Sequence, residues 1–295
     1  MPKILLHIGA HKTATTYLQT RLFRNANTLR QFQVGYVGLE RFRDAQAKAG
    51  GVRRAEPFWA IHRRIALARR LGALIAEEAD QGVRRLVLSD ENLLGNLSDI
   101  SSGTAFYPRA GQRIRAILHS LRRYEVEVVL SIRSYDTFHV SAWSHLVGRS
   151  GYSPFSSDPA DKLSSDGRGW SHVVRDLSRS APDIPLHIWQ YEKLQDQELQ
   201  ILQLLVGDEA AETLEPIGSR HMQGLSVEAV DHLQARHLAN EQISAEEVRQ
   251  TSRQFRKSKG YAAWSPWTPS QWDALRNRYA SDLAEISSMA GVCTH

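Results

Sequence analysis

Four short apolar runs constrain this chain more than any other feature. They occupy residues 4–8 (ILLHI), 84–89 (RRLVLS), 125–132 (EVEVVLSI) and 185–191 (PLHIWQY). Each is too short for a core helix and suits a buried strand. Stretches with the helical period separate them. Leu18, Leu22 and Leu29 share roughly one face of a helix expected over 15–29. A longer helix is expected from Pro57 to near Gly82, and another around Ile114, Ile117, Leu118 and Leu121. Strands alternating with helices of this length require crossover connections, hence βαβ units and a parallel sheet. The expected fold is α/β: a three-layer sandwich with a central, mostly parallel sheet.

Beyond residue 191 the pattern is mostly helical, over 192–206, 226–239, 245–257 and 269–290. Ser244 and Glu247 fit a capping box. Thr268, Pro269 and Gln271 fit an N-cap, a first-turn proline and a box partner. Residues 148–169 (GRSGYSPFSSDPADKLSSDGRG) break the rhythm and read as a long surface loop. The run at 185–191 should return to the same sheet, so residues 1–295 are read as one domain with a helical part at 192–290.

Hydrophobic content of 42% supports a real core. No apolar run approaches the ~20 residues of a membrane helix. The apolar N-terminal stretch is too short for a signal peptide, so a cytoplasmic location is expected. Cys293 is the sole cysteine, which excludes an internal disulfide and a cysteine zinc cluster. The net charge is +5, and 30 of the 37 basic residues are Arg. Such a balance suits anionic ligands or nucleic acid. The arginines pair along helices, as in RFR and RRIALARR, which reads as solvated helix faces and makes nucleic acid the less favoured partner.

The first run leads into HIGAHKTATTYLQ, residues 7–19. A strand, a tight turn and a helix opening at Thr15 and Thr16 aim backbone N–H groups and the helix dipole at one spot. Gly9 lets the backbone approach a ligand closely. Lys12 adds a full charge, and the hydroxyls of Thr13, Thr15 and Thr16 can donate. This is a P-loop-type nucleotide site in outline. An ATP loop reads G-x-x-x-x-G-K-[ST]. Here the Gly-to-Lys spacing is shorter, and His11 stands where that loop has Gly.

The stretch resembles instead the 5′-phosphosulfate loop of the sulfotransferase family that uses 3′-phosphoadenosine-5′-phosphosulfate (PAPS). Its members carry Pro or His, Lys, Ser or Thr, Gly, then two hydroxyl residues after the first strand. His11, Lys12, Thr13, Thr15 and Thr16 match, while Ala14 replaces the Gly. If Ala14 needs a positive φ it is strained, and a glycine there should tighten the loop's hold on PAPS. The family also has an Arg at a strand end and a Ser eight residues later, which bind the 3′-phosphate. Arg133 and Ser141 in LSIRSYDTFHVSAW match that spacing. The segments LVLSDENL and LHIWQYEKL resemble strand ends of bacterial members. QFRKSKGYAAW resembles the loop that closes over the cofactor, which implicates Arg256 and Lys257 in cofactor binding.

The resemblance implies transfer of a sulfuryl group from PAPS to a hydroxyl or amine acceptor, a saccharide among the candidates. It implies in-line displacement and no metal. Residues 149–168 are then expected on the acceptor side. Lys12 suits the charge of the leaving 5′-phosphate. A base must take the acceptor's proton. Glu91 lies just past a strand, where ligands bind in parallel sheets, and is the favoured candidate, with His11 and His139 behind it. Pairing with an Arg is the bland alternative for Glu91. A rival reading takes Asp90 as a Mg²⁺ ligand in a small-molecule kinase. A third takes the chain as a non-catalytic anion- or nucleic-acid-binding relative. Trp264, Trp267 and Trp272 read as core or docking residues before an aromatic platform for adenine or sugar.

Overall fold

The computed structural model describes residues 1–49, 60–97, 100, 106–165, 167–218, 224–256 and 259–295. The four expected strands are β1 (Lys3–His7), β3 (Arg85–Ser89), β4 (Val126–Ile132) and β5 (Leu186–Gln190). Two more join them, β2 (Val34–Val37) and β6 (Val292–Thr294). They form one sheet in the order β2-β3-β1-β4-β5-β6, with every pair parallel. The chain is thus α/β, with a parallel sheet flanked by helices.

The period of two in the strands divides the core. Ile4, Leu6, Leu86, Leu88, Val128, Leu130 and Ile132 face one side. Leu5, Val87, Val129 and Trp189 face the other. Helices α1 (Thr15–Arg24), α2 (Ala26–Gln31), α9 (Leu194–Val206) and α10 (Asp208–Thr213) cover the second side. The first is covered by α3 (Leu39–Lys48), α4 (Ala60–Asp80), α5 (Ala110–Ser120), α6 (Tyr135–Ser150), α8 (Trp170–Ser180) and α13 (Pro269–Ser287). A separate apolar cluster joins Trp143 and Val147 of α6 to α11 (Val227–Leu238) and α12 (Ala245–Gln254). Such burial contributes roughly 25 cal/mol per Å² of apolar surface removed from water.

Several expectations change in detail. The helix expected over 15–29 is broken at Asn25, whose amide donates to the Arg21 carbonyl at 2.9 Å and to the Glu215 carbonyl at 3.1 Å. A side chain that bonds the backbone this way competes with helix continuation. The long segment 148–169 is not all loop: α7 (Asp158–Ser165) lies within it. Both expected capping boxes form, at Ser244 with Glu247 and at Thr268 with Gln271. Gly82, at φ 86°, terminates α4 as a left-handed cap. Pro57 lies outside the described residues. No helix among the described residues is long and apolar enough to cross a membrane.

Candidate functional site

β1 sits between β3 and β4, so the carboxyl ends of three strands converge around residues 8–14. The turn stays tied to β4 at first. The Ile8 N–H donates to the Val129 carbonyl at 2.9 Å and the Ala10 N–H to the Ser131 carbonyl at 3.2 Å. Gly9 is required by space: a Cβ there would lie 2.5 Å from Thr15 Oγ1 and 2.9 Å from His7 Nε2. Thr13 is fully buried. Its hydroxyl donates to the Ala10 carbonyl at 2.6 Å and pairs with Ser131 Oγ at 2.5 Å. A hydroxyl has one proton to give, so Thr13 closes the turn instead of facing an anion. Thr15 is also buried, 3.4 Å from the same carbonyl, while Thr16 is exposed.

His11 holds the outer side of the turn. Its Nδ1 lies 2.9 Å from the Tyr107 hydroxyl and its Nε2 3.1 Å from Asn92 Oδ1. Its backbone N–H donates to Tyr107 Oη at 3.1 Å, and the two rings stack. A neutral ring protonated at Nε2 satisfies all three contacts. Tyr107 is held in turn by Arg168, whose guanidinium donates to the carbonyls of Phe106 and Tyr107 and pairs with Asp176 at 2.6 Å. The far end of the long 148–169 segment thus braces the loop.

Lys12 and Ala14 both adopt the left-handed region, at φ 64° and 61°. That conformation costs an L-residue about 1–2 kcal/mol and is found where function over-determines the backbone. No side chain caps the N-terminus of α1, which leaves the first-turn N–H groups of that helix available to a ligand. Lys12 has no carboxylate partner among the described residues. Burial, with Arg133 adding to the effect and Glu91 opposing it, pulls its pKa down to about 8.

Arg133, at the end of β4, meets this loop directly. Its Nη1 donates to the Lys12 carbonyl at 2.7 Å and its Nε to Thr137 Oγ1 at 2.9 Å. The guanidinium lies 4.2 Å above the Tyr191 ring. The Trp170 indole N–H donates to the Arg133 carbonyl at 2.8 Å. Glu192 accepts from the Ser134 N–H at 2.8 Å. The YEKL segment after β5 therefore builds the seat of Arg133. Ser141 is half-buried one helical turn beyond Thr137 on α6, with no hydrogen-bond partner among the described residues.

The carboxylates after β3 are differently placed. Asp90 is buried and caps the next turn by accepting from the Asn92 N–H at 3.0 Å. Arg43 grips it at 2.7 and 3.1 Å, and Gln46 adds a longer contact. Glu91 accepts from Arg43 at 3.2 Å and from Gln19 at 3.5 Å, and its charge reaches Lys12. Glu91 is therefore in the crevice but already holds an Arg. His139 is buried among Tyr135 and Phe138, and burial lowers its pKa to about 4. Arg256 is exposed and makes no described contact with the loop, and Lys257 lies outside the described residues. Trp264 packs on Trp143, and Trp267 donates to the Asp136 carbonyl. Trp272 is half-exposed beneath Arg276.

No protein-family model matches the chain, and no curated protein matches it. The chemistry must be read from the crevice itself. It presents a half-buried Lys, a forked Arg and an uncapped helix start, all suited to anions. Sequence reasoning missed Tyr107, Asn92, Gln19, Arg43, Tyr191 and Thr137. Thr137 carried a local signal, midway between Arg133 and Ser141 at helical spacing, and Asn92 and Tyr191 lay within the segments LVLSDENL and LHIWQYEKL.

Proposed function

We propose that the protein is a PAPS-dependent sulfotransferase acting on a hydroxyl or amine acceptor. The observation that carries this reading is the 2.7 Å hydrogen bond from Arg133 to the Lys12 carbonyl. It couples two cations, each without a carboxylate partner among the described residues, at the ends of adjacent strands. One nucleotide with phosphates at both the 5′ and 3′ positions would satisfy both.

The residues fit such a donor. The helix start and Lys12 suit the 5′ side. Arg133 and Ser141 suit the 3′-phosphate, where a guanidinium binds bidentately. When bound, the donor supplies a sulfuryl group on a phosphate leaving group. Lys12 and the α1 N–H groups then stabilise charge on the leaving side. The kinase alternative needs Asp90 free for Mg²⁺, but Arg43, Gln46 and the Asn92 N–H already hold that carboxylate.

Calorimetry with 3′,5′-diphosphoadenosine and with 5′-AMP tests the reading. The 3′-phosphate should tighten binding by about tenfold or more, as a charged hydrogen bond of about 1.5–3 kcal/mol implies. Label from PAPS should reach an acceptor with EDTA present. Equal affinity for the two nucleotides, or turnover only with ATP and Mg²⁺, would sink it.

A further inference from the structure

We propose that His145 is the base that takes the acceptor's proton, and that Glu91 steadies the resulting imidazolium. This rests on the sulfotransferase reading. The stripe of α6 that begins at Thr137, the partner of Arg133, continues through Ser141 and His145 at successive turns. Residues on either side of that stripe, such as Phe138, Ala142, Trp143 and Val147, are buried in the two apolar clusters. Thr137, Ser141 and His145 are left exposed or half-buried between them.

His7 and His11 are the other histidines of the loop and His139 the other one on the same helix, and each is either buried or bonded at both ring nitrogens. His7 is fully buried with Nδ1 on Ser89 at 2.9 Å. Both ring nitrogens of His11 are bonded. His139 is sealed in the core. His145 alone is half-buried with no hydrogen-bond partner among the described residues. The charges that reach it come from Lys12 in the loop beside the neutral His11, Arg149 on its own helix and Glu91 after β3. Helix α12, packed on α6, brings Arg249 to the Gly148 carbonyl, where Glu246 pairs it. Burial, with Lys12 and Arg149, lowers the pKa of His145, which favours the neutral ring that can accept a proton.

In the step, the acceptor oxygen forms its bond to sulfur as the bond from sulfur to the 5′-phosphate oxygen breaks. The electron pair leaves on the phosphate oxygen beside Lys12. The hydroxyl proton passes to His145. Glu91, whose oxygens Arg43 and Gln19 already engage, acts by its charge.

The test compares full-length wild type, His145→Gln and Glu91→Gln, with PAPS as donor and p-nitrophenyl glucoside as acceptor. His145→Gln should lower kcat by about 10²–10⁴-fold and erase the acid limb of the pH–rate profile. Its affinity for 3′,5′-diphosphoadenosine and its melting temperature should stay as in wild type. Glu91→Gln should be milder and keep that limb, moved to lower pH. In proton NMR, the imidazole signal absent from His145→Gln should titrate at higher pH once 3′,5′-diphosphoadenosine neutralises Lys12. A signal that does not move overturns the assignment, whether or not this acceptor is turned over. So does a His145→Gln variant that keeps its rate. Wild type that fails to bind 3′,5′-diphosphoadenosine at all overturns the sulfotransferase reading instead.

Discussion

The strand ends on either side of β1 are opposites in their electrostatics. After β3, Asp90 and Glu91 are matched by Arg43, with Gln46, Gln19 and a backbone N–H completing the set. After β1 and β4, Lys12 and Arg133 have no carboxylate partner among the described residues, and Arg133 bonds only neutral oxygens. Half-burying two cations costs free energy that carboxylates offset only from a distance, Glu91 for Lys12 and Glu192 and Asp136 for Arg133. An anion bound between them would recover that cost. The matched side is framework, and the unmatched side is where a ligand belongs.

Lys12→Ala should break the unmatched side most severely. Loss of one preorganised donor to a leaving group typically costs about 10²–10³ in kcat. The same Lys sets a pH dependence. An anion raises its pKa, so affinity for 3′,5′-diphosphoadenosine should fall as pH climbs past about 8. Stability moves the other way. The folded pKa of about 8 lies below the ordinary lysine value of 10.5. The unfolded chain therefore holds more protons between the two, and this group's contribution to stability rises with pH across that window. Calorimetry and denaturant titration at pH 7 and pH 9.5 check both signs, and Lys12→Ala should lose both.

Arg133→Ala should cost about 1.5–3 kcal/mol in binding 3′,5′-diphosphoadenosine and leave 5′-AMP nearly unchanged. An Arg133→Lys variant should not restore it, because an ammonium cannot bridge Thr137 and the Lys12 carbonyl while gripping a phosphate. Arg43→Ala probes the matched side. It strips buried Asp90 of its cation and should lower stability by about 1–3 kcal/mol, with little change in nucleotide affinity. A variant that folds normally but binds nucleotide poorly would overturn the division between the two sides.

How much of this was legible beforehand follows the same division. The four central strands are apolar runs between helical stretches, and their packing is written in their composition. β2 and β6 escaped because they are short edge strands, with Gly35 in one and Cys293 in the other. Their pairing comes from a neighbour more than from their own residues. The helix α7 did carry a signal in Ser157 and Pro159, masked by the Ser- and Asp-rich surroundings. Lys12 and Arg133 were readable because each follows a strand at a fixed spacing. Tyr107, which holds the loop at His11, is distant in sequence with nothing local to announce it, while Tyr191 under Arg133 was visible only as part of the LHIWQYEKL segment. Thr13 misled for a physical reason: a Thr in an anion-binding turn can serve the turn itself, and burial decides which.

Ala14 is the smallest and most exacting probe. The sequence left open whether its backbone is left-handed, and at φ 61°, ψ 19° it is. Glycine would remove a cost of about 1–2 kcal/mol. It would also add about 0.4–1 kcal/mol of unfolded-state entropy and lose a methyl packed against the α1 cluster. The expected net gain in stability for Ala14→Gly is therefore below about 1 kcal/mol, measured by chemical denaturation. Its expected effect on 3′,5′-diphosphoadenosine is a tightening of less than about fivefold. Weaker binding with unchanged stability would mean that the alanine methyl shapes the loop more than backbone strain does. Lys12 would then be aimed by packing against α1, and the unmatched side of the crevice would depend on that helix as much as on the turn.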